Sequence, residues 1–139
     1  MNREEIKKLL PHREPMLLID EAEKTGENTA IGRYTVRGDE FFLQGHFPDR
    51  PVVPGVVLCE MMAQTCCVLL GSEVGGATPY FTGLDKVRFK NKVLPGDTLE
   101  IVCTITKSRP PFYFAEGKGS VRGKLAVSGE FSFALIKEE

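Results

Sequence analysis

The sequence predicts an α+β fold in which one strongly curved antiparallel sheet wraps around a single long helix. Three observations predict it. The run Val56 to Leu70 is apolar or small almost throughout and carries one charged side chain, Glu60. A helix that is apolar on every side has no face to show to water and must be enclosed. The chain beyond residue 78 consists of β-rich runs separated by turn signals, and their short hairpin-like spacing favours antiparallel pairing. Between the first strands and the helix, residues 38–55 are punctuated by glycine and proline. Together these give a sheet folded over one helix, in a single domain spanning residues 1–139.

The elements follow in order. Asn2 can cap a short amphipathic helix, and Glu5, three residues on, can complete a capping box. Leu9-Leu10-Pro11 ends it, because the residue before proline avoids the helical region. Pro15 to Glu23 reads as a first strand, turning at Gly26-Glu27-Asn28 into a second, Thr29 to Val36. The long helix covers 56–71, stopped by Gly71 and released at Gly75-Gly76. Tyr80 to Leu84, Lys86 to Val93, Leu99 to Ser108, Phe112 to Val121 and Lys124 to Ile136 read as strands. Pro95-Gly96-Asp97 and Val121-Arg122-Gly123-Lys124 mark turns between them.

Composition narrows the function classes. With 139 residues, 42% hydrophobic and 27% charged, the chain is an ordinary globular protein that can bury a real core. A net charge of −1 gives no global reason to expect nucleic acid or an anionic membrane. The polar start, Met1 to Lys8, lacks a signal-peptide pattern, and Glu60 and Gln64 interrupt an apolar run already too short to span a bilayer. Cys59, Cys66, Cys67 and Cys103 have no C-x-x-C spacing, so they are expected to be small reduced core residues in a cytoplasmic protein. Metal ligands are few and no cofactor motif is present. The absence of G-x-G-x-x-G, P-loop and G-x-S-x-G patterns removes support for nucleotide binding and α/β-hydrolase chemistry.

The chemistry concentrates at Gly45 to Gly55, where three prolines and two glycines in eleven residues leave few backbone states. His46 lies there. It could be a loop residue bonded to backbone, but a rigid segment also fixes an imidazole well enough for proton abstraction. Glu60, alone among apolar neighbours, could make a structural Glu–Gln or Glu–Arg contact at a dimer seam. It could equally be a general acid, since an apolar setting favours a protonated carboxyl. Gln64, at i+4, can hold that carboxyl by a side-chain hydrogen bond. Unpaired N–H groups at the helix start, near Gly55, suit a developing oxyanion. His12, between Pro11 and Arg13, is expected to be a structural loop residue. Lys86 to Val93 alternates cationic and mainly apolar residues. Its basic stripe is either a solvated strand face that guards an edge or a docking patch for an acidic partner.

At these residues the chain resembles the (3R)-hydroxyacyl-acyl carrier protein dehydratases of fatty-acid synthesis, the FabZ-type family. The resemblance rests on Leu10-Pro11-His12-Arg13, Leu17-Leu18-Ile19-Asp20, Phe41 to Pro48, Pro51 to Val56 and Glu60-Met61-Met62-Ala63-Gln64. It continues through Phe81-Thr82-Gly83-Leu84-Asp85, Val87-Arg88-Phe89 and Val93-Leu94-Pro95-Gly96-Asp97, in order and over nearly the whole chain. The resemblance implies the hot-dog fold, no cofactor, and a His46–Glu60 dyad drawn from opposite subunits of a homodimer. Further assembly into a trimer of dimers is left open. It also implies that the Gly55 N–H polarises a thioester carbonyl. A related family that also isomerises the double bond carries Asp where this chain has Glu60, so glutamate points to the dehydratase branch. On this reading Val57, Met61, Met62 and Phe89 are candidate walls of an acyl tunnel, and Arg88 and Lys90 would receive acyl carrier protein. Arg109-Pro110-Pro111-Phe112-Tyr113 departs from the glycine-containing turn the family leads one to expect. A hot-dog acyl thioesterase, a coenzyme A-linked enoyl hydratase and a non-catalytic acyl-binding module are the alternatives.

Overall fold

The apolar run does form a helix, and the sheet does enclose it. The computed structural model describes residues 1–137, the side chain of Ser72 excepted. Three α-helices occur: α1 Arg3–Ile6, α2 Gly55–Cys67 and α3 Gly71–Val74. Six strands follow the order β1 Glu21–Lys24, β2 Thr29–Thr35, β3 Ala77–Phe89, β4 Thr98–Arg109, β5 Phe112–Val121 and β6 Lys124–Lys137. They make one antiparallel sheet in the spatial order β1-β2-β4-β5-β6-β3.

Helix α2 is buried along most of its length, with Val56 of its first turn left exposed. Leu58, Cys59, Met61, Met62, Ala63, Gln64, Thr65, Cys66 and Cys67 are all shielded from water. Against them lie the inward residues of β4, Leu99, Ile101, Cys103 and Ile105, which alternate with exposed neighbours at the strand's period of two. Phe131 and Phe133 of β6 and Tyr113 of β5 complete the opposite wall. Bulges let the sheet curl. Register shifts place extra residues in β3 between Phe81 and Gly83 and between Asp85 and Arg88, in β4 between Ile105 and Lys107, and in β6 between Leu125 and Val127, opposite Gly119 and Ser120. Each extra residue bends its strand and increases the local twist.

Local signals explain most element ends. Asn2 and Glu5 form the capping box on α1. Arg122 and Gly123, with φ of 51° and 78°, close the two-residue turn from β5 to β6. Pro110-Pro111 also makes a two-residue connection, because Arg109 pairs with Phe112 and Pro111 O accepts from Leu135 N at 2.8 Å. Three expectations need correction. The first strand begins at Glu21, not Pro15, because residues 15–18 are tied to α2 by Gln64. The long helix runs Gly55–Cys67 and tightens into a 3-10 turn over Val68–Leu70 before α3. The two strands expected at 80–84 and 86–93 are one strand, β3, whose bulges absorb the interruption. That bulge, with Lys86 at φ 52°, also breaks the strict alternation of the basic stripe, and Lys90 and Lys92 lie beyond the strand.

Candidate active site

Two groups of polar side chains flank α2, one before its first turn and one along its body. Before the helix, residues 46–52 form a closed loop. Val52 N donates to His46 O at 2.9 Å, Phe47 and Arg50 exchange backbone bonds, and Val53 N donates to Val93 O at 2.9 Å. The half-buried His46 ring stacks on Phe47, with centroids 4.3 Å apart. Its Nδ1 lies 2.9 Å from Val52 O. A carbonyl oxygen can only accept, so Nδ1 carries the proton and Nε2 keeps its lone pair. The backbone-bonded reading of this histidine and the basic reading therefore describe one geometry.

Helix α2 starts at Gly55 with Pro54 as a cap that offers no side-chain acceptor. Its first backbone bonds are Val57 N and Leu58 N to Pro54 O, at 3.0 and 3.3 Å. The Gly55 N–H precedes them and points out of the helix start, as the first N–H groups of any helix do. Phe89 covers this turn so closely that a Cβ on Gly55 would sit 2.7 Å from its Cζ. A groove of ≈ 540 Å³ runs beside the loop, lined by Phe47, Arg50, Pro51, Val52, Lys92 and Leu94 among others. Of its two cations, Lys92 belongs to the basic stripe read from the sequence, whereas Arg50, though visible within the Gly/Pro segment, escaped that reading.

One and a half turns further on, Glu60 is three-quarters buried beside a cavity of ≈ 20 Å³, room for about one water-sized group. Gln64 Nε2 donates to Glu60 Oε2 at 2.9 Å, the i,i+4 contact expected from the sequence. Gln64 does more than that. Its Oε1 accepts from Leu18 N and its Nε2 also donates to Met16 O, both at 2.8 Å. This pins the segment after α1 onto the helix and brings in His12, whose Nε2 lies 3.5 Å from Glu60 Oε2. The sequence predicts a structural loop histidine at position 12, since no carboxylate-bearing apolar helix follows it, and only the fold brings Glu60 of α2 to it. Pro79, Tyr80, Phe81 and Phe133 close the cavity.

Within one chain, among the described residues, no contact joins His46 to Glu60, and the cavity at Glu60 does not include His46. Met61 and Met62 are fully buried in the core, Val57 packs against it half-buried, and Phe89 is exposed over Gly55. Arg88 and Lys90 are exposed, with the Arg88 guanidinium donating to its own strand at Val87 O, 3.0 Å away. All four cysteines are free and buried. Burial pushes the Cys59 and Cys67 thiols up, and Cys103 is pushed up by its bond with Cys66 and by burial, so none of these three is poised as a thiolate nucleophile. The described residues contain no cluster of three or more metal-ligating side chains, and no helix long and apolar enough to cross a membrane.

Residues 10–130 match the family model described as FabA-like domain. A Clostridium perfringens protein named 3-hydroxyacyl-[acyl-carrier-protein] dehydratase FabZ is 47% identical over 137 residues, covering 97% of this chain and 99% of its own. A Streptococcus pneumoniae protein of the same name is 45% identical, covering 95% and 96%. Among solved structures, the dehydratase heterocomplex ApeI:P from Xenorhabdus doucetiae aligns with a TM-score of 0.81 at 26% identity, covering 94% of this chain and 90% of that one. The E. coli PaaI protein, at 15% identity and a TM-score of 0.63 over 82% and 81%, shares the fold alone. The sheet wrapped on α2 is the hot-dog fold. The chain belongs to the FabA-like domain family and, within it, to the FabZ-type 3-hydroxyacyl-acyl-carrier-protein dehydratases.

Proposed function

We propose that this protein dehydrates a (3R)-3-hydroxyacyl thioester, carried on acyl carrier protein, to the trans-2-enoyl thioester, with His46 as base and Glu60 as acid. The observation that carries the reading is the complementary state of the two groups. His46 Nε2 is left with a lone pair by the Nδ1–Val52 bond, and Glu60 is held by Gln64 through one oxygen only. His46 takes the C2 proton, which the adjoining carbonyl acidifies. The C–H electrons form the C2=C3 bond, the C3–O bond breaks, and Glu60 protonates the departing hydroxyl to give water. The Gly55 N–H, at the positive end of α2, receives the charge that builds on the thioester oxygen. A proton then returns from His46 to Glu60 through solvent, completing the cycle.

The groove with Arg50 and Lys92 opens beside His46, so its apolar floor and two cations suit a phosphopantetheine arm. With Arg88 and Lys90 on the neighbouring strand end, it offers a local basic surface to an acidic carrier protein on a chain of net charge −1. Val57, Met61, Met62 and Phe89 remain the proposed walls for the acyl chain, with Met61 and Met62 reached only if the core yields. The four free thiols suit a cytoplasmic setting.

The test is the product formed from a carrier-bound 3-hydroxyacyl substrate. Enoyl product with loss of water is expected, at a higher rate than from the coenzyme A thioester. Release of free acid identifies a thioesterase instead, and a preference for coenzyme A identifies a hydratase. Glu60→Gln is expected to stay folded and lose roughly 10²–10⁴-fold in turnover, the range for a general acid. Full turnover in that variant removes Glu60 from the chemistry.

A further inference from the structure

Among the described residues, His12 is a titratable side chain outside the proposed dyad that comes within 3.5 Å of Glu60. Its ring is mostly buried, with 17% of the side chain exposed, and its Nε2 faces Glu60 Oε2 at 3.5 Å. Its Nδ1 is buried with no hydrogen-bond partner. The other titratable groups bordering the same cavity are Cys67 of α2 and Tyr80 of β3. A neutral imidazole carries one N–H. A proton on Nδ1 would leave a buried donor orphaned, which folded proteins avoid more strictly than an unmet acceptor. An imidazolium would orphan the same donor. The tautomer that fits places the proton on Nε2, aimed at Glu60. At 3.5 Å this is a close approach and not a formed hydrogen bond, one that a small shift of either side chain would close.

Gln64 Nε2 donates to that same oxygen at 2.9 Å. Oε2 thus accepts from Gln64 and is faced by His12 Nε2, and Oε1 has no hydrogen-bond partner among the described residues. A carboxyl oxygen engaged by one N–H and faced by a second leaves the acidic proton to the other oxygen. We infer that His12 is a positioning residue which, with Gln64, reserves Oε2 of Glu60 as acceptor and so confines the transferable proton to Oε1. The inference rests on the proposed role of Glu60 as acid. It gives the fold a reason to pin residues 16–18 to α2 through a glutamine that is 1% exposed.

Substitution distinguishes this from a packing role. Counting from Cβ, a glutamine amide nitrogen occupies the position of histidine Nε2, whereas an asparagine amide reaches only that of Nδ1. His12→Gln thus keeps a donor toward Glu60 but cannot titrate, His12→Asn loses it, and His12→Leu fills space without one. Turnover is expected to fall about tenfold in His12→Asn and His12→Leu, with KM little changed, and to stay within about twofold in His12→Gln. A second readout does not need activity. In protein labelled with 13C at the Glu60 carboxyl, the carboxyl shift at neutral pH is expected to move in the Asn and Leu variants and to hold in Gln. Thermal unfolding identifies any variant that fails to fold, and the Gln–Asn pair, which differ by one methylene, remains the decisive comparison. Glutamine as poor as leucine, or all three variants matching wild type in both readouts, overturns the inference. A wild-type protein with no dehydratase turnover instead defeats the proposed function, and the carboxyl shift then decides the His12 contact alone.

Discussion

Two carboxylates are buried among the described residues, Glu40 and Asp97, and each is matched to several donors. Glu40 accepts from Tyr34 O–H at 2.6 Å, Arg37 N at 2.9 Å and Gly38 N at 2.8 Å. Burial pushes its carboxyl up, but the Tyr34 hydroxyl and the two backbone N–H groups outweigh burial and hold it below the usual carboxylate range. The same contact, after burial, pushes the Tyr34 hydroxyl well up. A depressed carboxyl binds its proton less readily folded than unfolded. Its stabilisation is therefore complete above the unfolded-state value and is lost as pH falls through the lower folded one. Glu40→Gln is expected to cost about 1–3 kcal/mol in urea unfolding at neutral pH, the range for a buried hydrogen bond to a charged group. The gap from wild type is expected to shrink as pH falls below the ordinary glutamate value of about 4.3, where the unfolded carboxyl takes up its proton first, and to close once the native carboxyl protonates too. An equal gap at both pH values removes the charge from the explanation. Like His12 beside Glu60, Glu40 was invisible to sequence reasoning as a buried acid, because Arg37-Gly38-Asp39-Glu40 reads only as a polar turn.

Strand β2 crosses α2 at Gly32, and the crossing admits no side chain. A Cβ there would overlap the Thr65 side chain, whose Oγ1 donates to Met61 O at 2.9 Å and so cannot swing aside freely. Gly32→Ala is expected to lower stability by about 1–3 kcal/mol, as overpacking of a filled core does, measured by thermal or urea unfolding. Thr65→Ala alongside it should recover part of the loss by removing both the Oγ1 that the new Cβ meets first and the methyl beside it. No recovery places the strain elsewhere. This contact shows which elements were legible in the chain. The capping box, the Arg122-Gly123 turn and the enclosed helix follow from neighbours in sequence, and all three stand where local chemistry puts them. The continuity of β3 does not. Gly83 and Lys86 interrupt its pattern, and only pairing with β6 shows that bulges carry the strand through both. The segment at 15–18 looks like strand for the same reason in reverse, because Leu17 and Leu18 are buried and Leu18 N is held by a glutamine more than forty positions away.

The molecule ends its sheet on β3, whose edge is guarded only in part by two bulges and by Lys86 and Arg88. Beyond β6 on one side, β3 has no strand neighbour on the other among the described residues, while Tyr80, Phe81, Leu84 and Phe89 along it are 39–54% exposed. A long edge strand with exposed aromatics is a surface for another strand. Tyr80 and Phe81, at its start, border the Glu60 cavity, and Phe89, at its end, lies over Gly55 beside the His46 loop. Antiparallel pairing of two β3 strands about a two-fold axis runs the start of each beside the end of the other. Each Glu60 would then lie near the partner's His46 loop, which no rearrangement within a single chain is needed to achieve. His46→Ala and Glu60→Ala proteins, each inactive alone, are therefore expected to regain activity when unfolded together and refolded. A random equal mixture makes half heterodimers, each with one intact site of two, so recovery should approach about a quarter of wild-type turnover. A charged substitution at Leu84, such as Leu84→Lys, should abolish that recovery and give a monomer by sedimentation. Heterodimers verified by tag and mass that remain inactive would mean that base and acid belong to one chain, and that β3 pairs for some other purpose.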